Sequence, residues 1–382
     1  MSGIKGIGLL PLIVTTSQAL QLYKKVAKIK SSIGKLNSEL EHSMVNSQLI
    51  QMLTLKESVQ STRIEGTQVT FADMIEETTK KNKSNDVVEV ENYMEALSEG
   101  IELIKNGMPI SSRLIKQLHK VLMGKDIRGT TSSAGDYRGI QNFIGPTKRM
   151  KDAVYIPIGA NEIGDYMTNL EYYINSEKHR SFEKEFNQDS EVLLDETSDS
   201  LIKTAIMHAQ FESIHPFLDG NGRMGRILIV LNTMQDKLID KPVFFVSEEL
   251  EKERIRYYNL LNGVRGKDPD WFSWIDFFLD ACQRMSESML KKLESITALA
   301  SKGLDKINKD ASIVNHIWFT TFVKPYVTVS QVAERLGIAV TTARKGLNVL
   351  VELKLLDVDH SKKKNKVYVN YDLIRLLQRQ EM

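Results

Sequence analysis

Apolar residues recur three and four apart through the first two-thirds of the chain, the period of a helix that buries one face. This spacing predicts helical structure over residues 15–60. It predicts a helix over 87–106, VVEVENYMEALSEGIELIKN, closed by Gly107, and another over 112–123, SRLIKQLHKVLM, closed by Gly124. Further helices are expected at 163–176, 197–214, 248–262 and 271–292. The helical period lapses between 124 and 160, where Gly124, Gly129, Gly135, Gly139, Gly145, Pro146, Pro157 and Gly159 fall around one strand-like piece, AVYIPI. A loop of that length in a compact domain is either functional or disordered, and its apolar and aromatic content favours function. Residues 187–196, NQDSEVLLDE, are acidic and expected to form a solvated loop.

The pattern changes again towards the end. Residues 293–310 are expected as a connecting helix. In TVSQVAERLGIAVTTARKGLNVL, residues 328–350, an apolar-spaced helix Val329–Leu336 meets Gly337 and a second begins near Val340–Thr341. Helix, glycine turn, helix is the helix-turn-helix signature. LVELKLLDVDHSKKKNKVYVN then predicts a β-hairpin with lysines at its tip. Residues 311–382 carry 11 Lys and Arg against 6 Asp and Glu, a local charge of +5 where the rest of the chain has −3. That asymmetry marks a separate module.

Bulk properties narrow the class. A chain of 382 residues predicts two or three domains. With 42% hydrophobic and 26% charged residues, it has the composition of a soluble globular protein. The net charge of +2 is too small to indicate a partner. The single cysteine, Cys282, rules out an internal disulfide and fits a reducing compartment, so a cytoplasmic location is expected. No apolar run approaches the roughly 20 residues of a membrane helix, so no membrane partner is expected. Lys5 followed by GIGLLPLIVTT has the outline of a short signal core. Pro11 interrupts it and Ser17–Ala19 is a poor cleavage site, so the segment is expected to pack on the body.

The chemistry concentrates in His215-Pro-Phe-Leu-Asp219-Gly220-Asn221-Gly222-Arg223-Met224-Gly225-Arg226. Gly220 and Gly222 allow positive φ and close approach, so consecutive N–H groups can cradle an anion at the start of the following helix. Arg223 and Arg226, three apart, share a face of that helix and suit a polyphosphate. Asp219 before the cradle has the chemistry of a Mg²⁺ ligand beside bound phosphates. His215 lies one short loop away and can act as general base. Each feature alone is ordinary: GNG is commonly a turn, and an arginine pair is commonly solvated. Together and in this order they resist explanation as packing.

HPFLDGNGRMGR resembles the Fic family motif, H-x-F-x-[DE]-G-N-G-R-x-x-R, at every defined position. LHKVLMGKDIRG with AGDYRGIQNFIG upstream, and YYNLLNGVRGKDPDWFSWIDFFL downstream, are similar to the family's flanking segments, so the resemblance covers roughly residues 1–290. It implies a mainly α fold: a Fic helical bundle with a small β-hairpin flap, joined to a C-terminal winged helix-turn-helix domain. The expected domains are 1–100 (helical, inhibitory), 101–292 (catalytic core), 293–310 (connector) and 311–382 (winged helix). It also implies an ATP-dependent protein adenylyltransferase that transfers AMP to a Ser, Thr or Tyr hydroxyl and releases pyrophosphate. His215 would deprotonate the hydroxyl and Asp219 would hold Mg²⁺. Gly220, Asn221, Gly222, Arg223, Met224, Gly225 and Arg226 would bind ATP. Tyr257 and Tyr258 match the aromatic pair of the family's adenosine pocket; packing in the core is the lesser alternative for them. Ala153, Val154, Tyr155 and Ile156 match the flap, which pairs with an extended target segment.

Ser61-Thr-Arg-Ile-Glu65-Gly66 resembles the family's inhibitory pattern, [ST]-x-x-x-E-[GN]; by composition alone it is a helix end capped by glycine. The resemblance pairs Glu65 with Arg226, whose one guanidinium fork can hold a carboxylate or a γ-phosphate but not both. Thr341, Thr342, Arg344 and Lys345 would face DNA, although this fold also mediates protein contacts. The partners implied are a target protein, the chain itself, a second copy in a homodimer and DNA. Transfer of another nucleotide, removal of AMP, and an ATP-responsive DNA-binding regulator remain as alternatives.

Overall fold

Two short strands, β1 (Ile4–Lys5) and β2 (Leu12–Thr15), precede a chain that is otherwise largely helical. The helices α1 (Thr16–His42), α2 (Asn46–Ile64), α3 (Phe71–Glu77), α4 (Asn85–Lys105) and α5 (Ser112–Leu122) follow. Next come β3 (Tyr155–Ile156), α6 (Ile163–Ile174), β4 (Glu191–Leu194), α7 (Ser200–Ile214), α8 (Asn221–Gln235), α9 (Ser247–Lys252), α10 (Arg254–Gly263) and α11 (Trp271–Lys306). The chain closes with α12 (Ser312–Thr320), β5 (Tyr326–Thr328), α13 (Val329–Leu336), α14 (Val340–Glu352), β6 (Asp357–Val358), β7 (Val367–Val369) and α15 (Tyr371–Gln378). This computed structural model describes residues 3–42, 46–77, 83–124, 133–147, 149–307, 312–358 and 366–379. Tertiary contacts divide the chain into two units: Met1–Gly34, Glu57–Gln68 and Ser84–Ser286 in one; Lys35–Lys56, Val69–Lys83 and Glu287–Met382 in the other.

The first unit is built around α7 and α8. Every α7 residue from Leu201 to Ile214 is buried, and α8 is buried along most of its length. Both are buried nearly all round, polar residues such as Lys203, His208, Gln210, Glu212 and Asn232 included, as in helices wrapped by others rather than helices with a wet face. Asp199 caps α7 by accepting from Leu201 N–H at 3.0 Å. The helix stops because His215 takes a left-handed conformation, φ 51°, and proline follows. Helices α4 and α5 pack beside α8, each capped by a serine hydroxyl, Ser84 and Ser111. The indole N–H of buried Trp274 in α11 donates to Ala205 O of α7 at 2.8 Å.

Two expectations from the sequence change here. The segment expected as a solvated acidic loop contains β4, which pairs antiparallel with β2 in the register Leu12↔Leu194 to Thr15↔Glu191. Leu12, Val14 and Leu194 are buried, so the apolar run VLL outweighs the acidic flanks. The stretch AVYIPI contributes only Tyr155–Ile156 as strand. It pairs parallel with β1 on one side and bridges Ile144 on the other. The N-terminal segment packs on the unit as expected: Ile7 and Leu10 are buried, and Asn169 brackets Leu10 through both backbone groups at 3.1 and 3.0 Å.

In the second unit α12, α13 and α14 pack against one another, beside the sheet β5-β7-β6, which is antiparallel throughout. Thr328 and Gln331 form a capping box at the start of α13, and Gly337 ends it at φ 62°. The helix–glycine–helix arrangement predicted at 329–350 is therefore present. Thr341, Arg344 and Lys345 are exposed on α14, and Thr342 is half-buried. The lysines predicted at a hairpin tip, 362–364, lie outside the described residues. The expected connector is no separate element: α11 runs unbroken to Lys306, because nothing from 271 to 306 interrupts its apolar period.

Candidate active site

The turn between α7 and α8 is held from inside by Asn221. Its side chain accepts from Phe217 N–H and donates to Phe217 O, both at 2.9 Å. Gly220 begins α8 in the left-handed region, φ 74°, where an L side chain is strained and an added Cβ would lie 2.7 Å from Met123 Sδ. The turn directs the first-turn N–H groups of α8, which have no intrahelical acceptor, outward from the helix end. Asp219, its side chain 50% exposed, stands beside them, and its Oδ1 accepts Gly220 N–H at 2.6 Å.

His215 stands at the C-terminal end of α7 in a backbone conformation that costs a non-glycine residue about 1–3 kcal/mol. Its Nδ1 is 3.3 Å from Glu212 O. A carbonyl oxygen only accepts, so Nδ1 carries the proton and Nε2 is left as a base. Burial pushes the imidazole down to about 4, and the charges of Arg265 and Arg138 add to this against the pull of Glu212 O and Glu65. The ring is therefore neutral near pH 7. Arg138 fixes the same corner by donating to the carbonyls of His215 at 3.0 Å and Ile158 at 2.7 Å. Arg265 donates to Ser213 Oγ and Glu212 O, both at 3.1 Å.

Arg226 is 1% exposed. Its Nε donates to Ser61 Oγ at 2.8 Å, and its Nη2 donates to Ser61 O at 2.9 Å and Glu65 Oε1 at 2.7 Å. The carboxylate thus engages one nitrogen rather than both prongs, because Ser61 takes Nε. Nη1 has no hydrogen-bond partner among the described residues. Burial opposes the charge on Glu65, but Arg226, with help from Arg223, holds its carboxyl below the usual range. Gly222 makes the approach sterically available: a Cβ there would lie 2.2 Å from Glu65 Oε1. Gly66, which follows, has φ 105°. Two more carboxyls feel Arg226. Burial pushes Glu57 and Glu212 up to about 7 despite its attraction. Glu57 accepts from Ser247 Oγ and from Tyr93 OH, while Glu212 Oε1 has no partner among the described residues. Arg223, also buried, lies 3.5 Å from Glu89 and 3.6 Å from Asp219.

His215, Gly222, Arg226, Glu65 and Glu212 line one cavity of about 640 Å³ with Tyr257, Tyr258, Asn262, Arg265 and the loop residues Phe143–Pro146 and Val154. The volume suits a nucleotide-sized ligand. A hollow of similar size, about 610 Å³, at Gly107–Pro109, Asn175 and Asp236 has no histidine, arginine or hydroxyl in its lining. Tyr257 is 1% exposed and its hydroxyl lies 2.9 Å from His208 Nε2, whereas Tyr258 is more than a third exposed. Met224 is fully buried and outside the cavity lining. Gly225 is a packing position, since a Cβ there would meet Glu212 Oε1 at 2.5 Å.

The stretch Ala153–Ile156 does not present an open edge. Ile4 N–H donates to Val154 O at 2.9 Å and Gly6 N–H to Ile156 O at 3.0 Å, while Tyr155 exchanges both its backbone bonds with Ile144. Tyr155 is wholly buried and its hydroxyl donates to Ser213 O at 2.6 Å. Ala153 is also buried.

Among the described residues no group of three or more His, Cys, Asp or Glu could enclose a metal ion. The half-exposed carboxylate of Asp219 beside the first-turn N–H groups of α8 has the chemistry that fits Mg²⁺, which binds through one or two carboxylates, substrate phosphates and water.

Sequence reasoning passed over His119, Arg138, Glu212 and Arg265. Arg138 was the most legible of these, a lone arginine in the glycine-rich D-Y-R-G, where backbone carbonyls need donors. His119, Glu212 and Arg265 sit in helical or turn patterns that carry no such mark.

Residues 23–102 match the family model described as Fic/DOC family N-terminal, and residues 109–232 match that described as Fic/DOC family. The chain is 26% identical over 156 residues to the protein adenylyltransferase Fic of Drosophila grimshawi, covering 40% of this chain and 25% of that one. It is 46% identical over 46 residues to a probable protein adenylyltransferase of Aquifex aeolicus, 12% of this chain and 14% of that one. It thus spans about a quarter or less of the length of these curated relatives. A crystal structure of a Fic family protein from Desulfovibrio desulfuricans shares the fold, with TM-score 0.54 and 19% identity over 91% of this chain and 95% of that one. A Fic domain containing signaling protein from Bacteroides thetaiotaomicron gives TM-score 0.52 and 18% identity over 70% and 97%.

Proposed function

The chain belongs to the Fic/DOC family, and from that membership we propose that it is a protein adenylyltransferase. It transfers AMP from ATP to a hydroxyl of a target protein or of itself. The observation that carries this is the convergence on one cavity of a neutral His215 with a bare Nε2, the cradle at α8 and Arg226. His215 Nε2 takes the hydroxyl proton, the oxygen bonds to the α-phosphorus, and the bond to the β-phosphate oxygen breaks, so that pyrophosphate leaves. The first-turn N–H groups of α8 oppose the charge that develops on the phosphoryl oxygens. Arg223 and Arg226 hold the β- and γ-phosphates. Asp219 would hold Mg²⁺, which when bound supplies charge neutralisation to the phosphates. Tyr257 and Tyr258 flank the adenosine.

Glu65 keeps this activity low by occupying Arg226. With β1 against the outer edge of β3, an extended target finds the other side of the flap. There the backbone groups of Phe143 and Gly145 point away from β3, since Ile144 spends its own on Tyr155. The exposed Thr341, Arg344 and Lys345 of α14 suit DNA as a further partner.

The test is incubation of purified protein, unsubstituted and Glu65→Gly, with ATP, CTP, GTP and UTP labelled at the α-phosphate. ATP-dependent labelling of protein supports the reading. Labelling by another nucleotide alone, or loss of AMP from a pre-labelled target without transfer, overturns it.

A further inference from the structure

We propose that His119 is a positioning residue for the phosphate cradle, holding from outside the turn that Asn221 braces from inside. The proposal rests on reading the His215–Arg226 segment as a nucleotide site. His119 lies in α5, is 3% exposed, and lies flat on Phe217 with ring centroids 3.6 Å apart and planes 3° from parallel. Its Nε2 is 3.0 Å from Asp219 O, and its Nδ1 accepts Gly135 N–H at 3.0 Å. A carbonyl only accepts and a peptide N–H only donates. Both ring nitrogens are therefore committed: Nε2 bears the hydrogen and Nδ1 is bare.

This fixes the Asp219–Gly220 peptide. Phe217 is held on its ring by His119 and on its backbone by Asn221, and Asp219 O is held by His119. Gly220, next in the chain, turns the side on which an L residue carries its Cβ towards Met123 and His119: a Cβ there would lie 2.7 Å from Sδ and 3.3 Å from Nε2. Helix α5 is thus the floor on which the left-handed turn rests. The turn sets both the place of the Asp219 carboxylate and the aim of the first α8 amides. A tilt of that peptide moves all of them together, and displacement of about 1 Å at such a site can cost on the order of 100-fold.

The two hydrogen bonds can be separated by substitution. In His119→Gln the side-chain amide reaches the position of Nε2 and can still donate to Asp219 O. In His119→Asn the side chain reaches only the position of Nδ1, so it can accept from Gly135 but not touch Asp219. In a Glu65→Gly background, the Gln variant is expected to bind inorganic pyrophosphate and transfer AMP within about threefold of its parent. The Asn variant is expected to lose roughly 10- to 100-fold in both. Pyrophosphate binding is measured by calorimetry without Mg²⁺, so it reads the cradle even where the parent transfers no AMP. An inactive parent would count against the proposed function, not against His119. Equal behaviour of the two variants, at equal thermal midpoints, would reduce His119 to packing. If neither variant unfolds cooperatively, ¹⁵N spectra of the unsubstituted protein decide the matter: an Nδ1-protonated His119 overturns the proposal, and an Nε2-protonated ring whose shift moves with pyrophosphate supports it.

Discussion

The Nδ1–H of His215 faces the carbonyl of Glu212, three residues earlier on the same helix, at 3.3 Å. The contact fixes the tautomer by local backbone geometry alone and leaves Nε2 turned to the cavity as a lone-pair acceptor. It needs no second side chain to orient the base, because the left-handed turn at His215 brings the ring back over the end of α7.

Replacing His215 by alanine is expected to remove AMP transfer while leaving ATP affinity nearly unchanged. A positioned general base contributes about 10²- to 10⁴-fold, and on the proposed function Arg223, Arg226 and the α8 amides would still retain the nucleotide. Calorimetry and self-labelling on the same preparation separate the two effects. A loss of ATP affinity matching the loss of rate would make His215 a binding residue instead.

The pH dependence follows from burial. An imidazole held down to about 4 stays neutral where an ordinary one, near 6.5, would be half protonated. The base is lost only as pH falls through the lower value. With Glu65→Gly, kcat/KM is expected to stay flat from pH 8 to about 5.5. A half-loss centred near 6.5 in protein whose circular dichroism is unchanged would show that His215 is not desolvated as described.

The helices were legible because their period is written in many residues at once: α4, α5 and α13 fall within two residues of the spans read from the pattern. The short strands were not. β2 and β4 each have four residues, and each acquires its meaning only from the other, a partner far away in the chain. The site divided in the same way. His215 to Arg226 lie in one contiguous run, so spacing exposes them. His119 and Glu57 reach the site from helices whose side-chain pattern is that of ordinary packing, and only the folded chain brings them to Asp219 and Arg226.

Trp318 anchors the second unit. It is wholly buried, meets Phe322 edge-on with centroids 4.9 Å apart, and its indole N–H donates to Ala300 O at 3.1 Å. Trp318→Ala opens a cavity and removes the Ala300 carbonyl's indole donor, so a loss of about 3–5 kcal/mol is expected. Urea unfolding followed by circular dichroism measures it. A change below about 1 kcal/mol would mean that α11 and α12 re-pack around the gap.

The lock between Glu65 and Arg226 makes the sharpest prediction. Glu65→Gly is expected to raise AMP transfer, and Arg226→Ala to lower it whether Glu65 is present or not. Arg226 Nη2 is shared by Ser61 O and Glu65 Oε1, while Nη1 has no partner among the described residues; the carboxylate beside the guanidinium takes up its charge and stands where a phosphate would have to come. Glu65 is tethered through α2, so its effective concentration is high and no association entropy opposes the pair. A hydrogen bond to a charged group is worth about 1.5–3 kcal/mol, which converts to a gain of roughly 10- to 150-fold when it is removed. Removing Arg226 instead opens the lock but takes the phosphate donor with it, and leaves Glu57 and Glu212 without their shared cation. If Glu65 only finished the end of α2, its replacement would lower stability and leave the rate alone. Self-labelling by ATP in the two single variants and the double variant, with thermal midpoints beside them, discriminates the cases. A folded Glu65→Gly protein no faster than the unsubstituted chain would end the autoinhibition reading, and a double variant as fast as Glu65→Gly would remove Arg226 from phosphate binding.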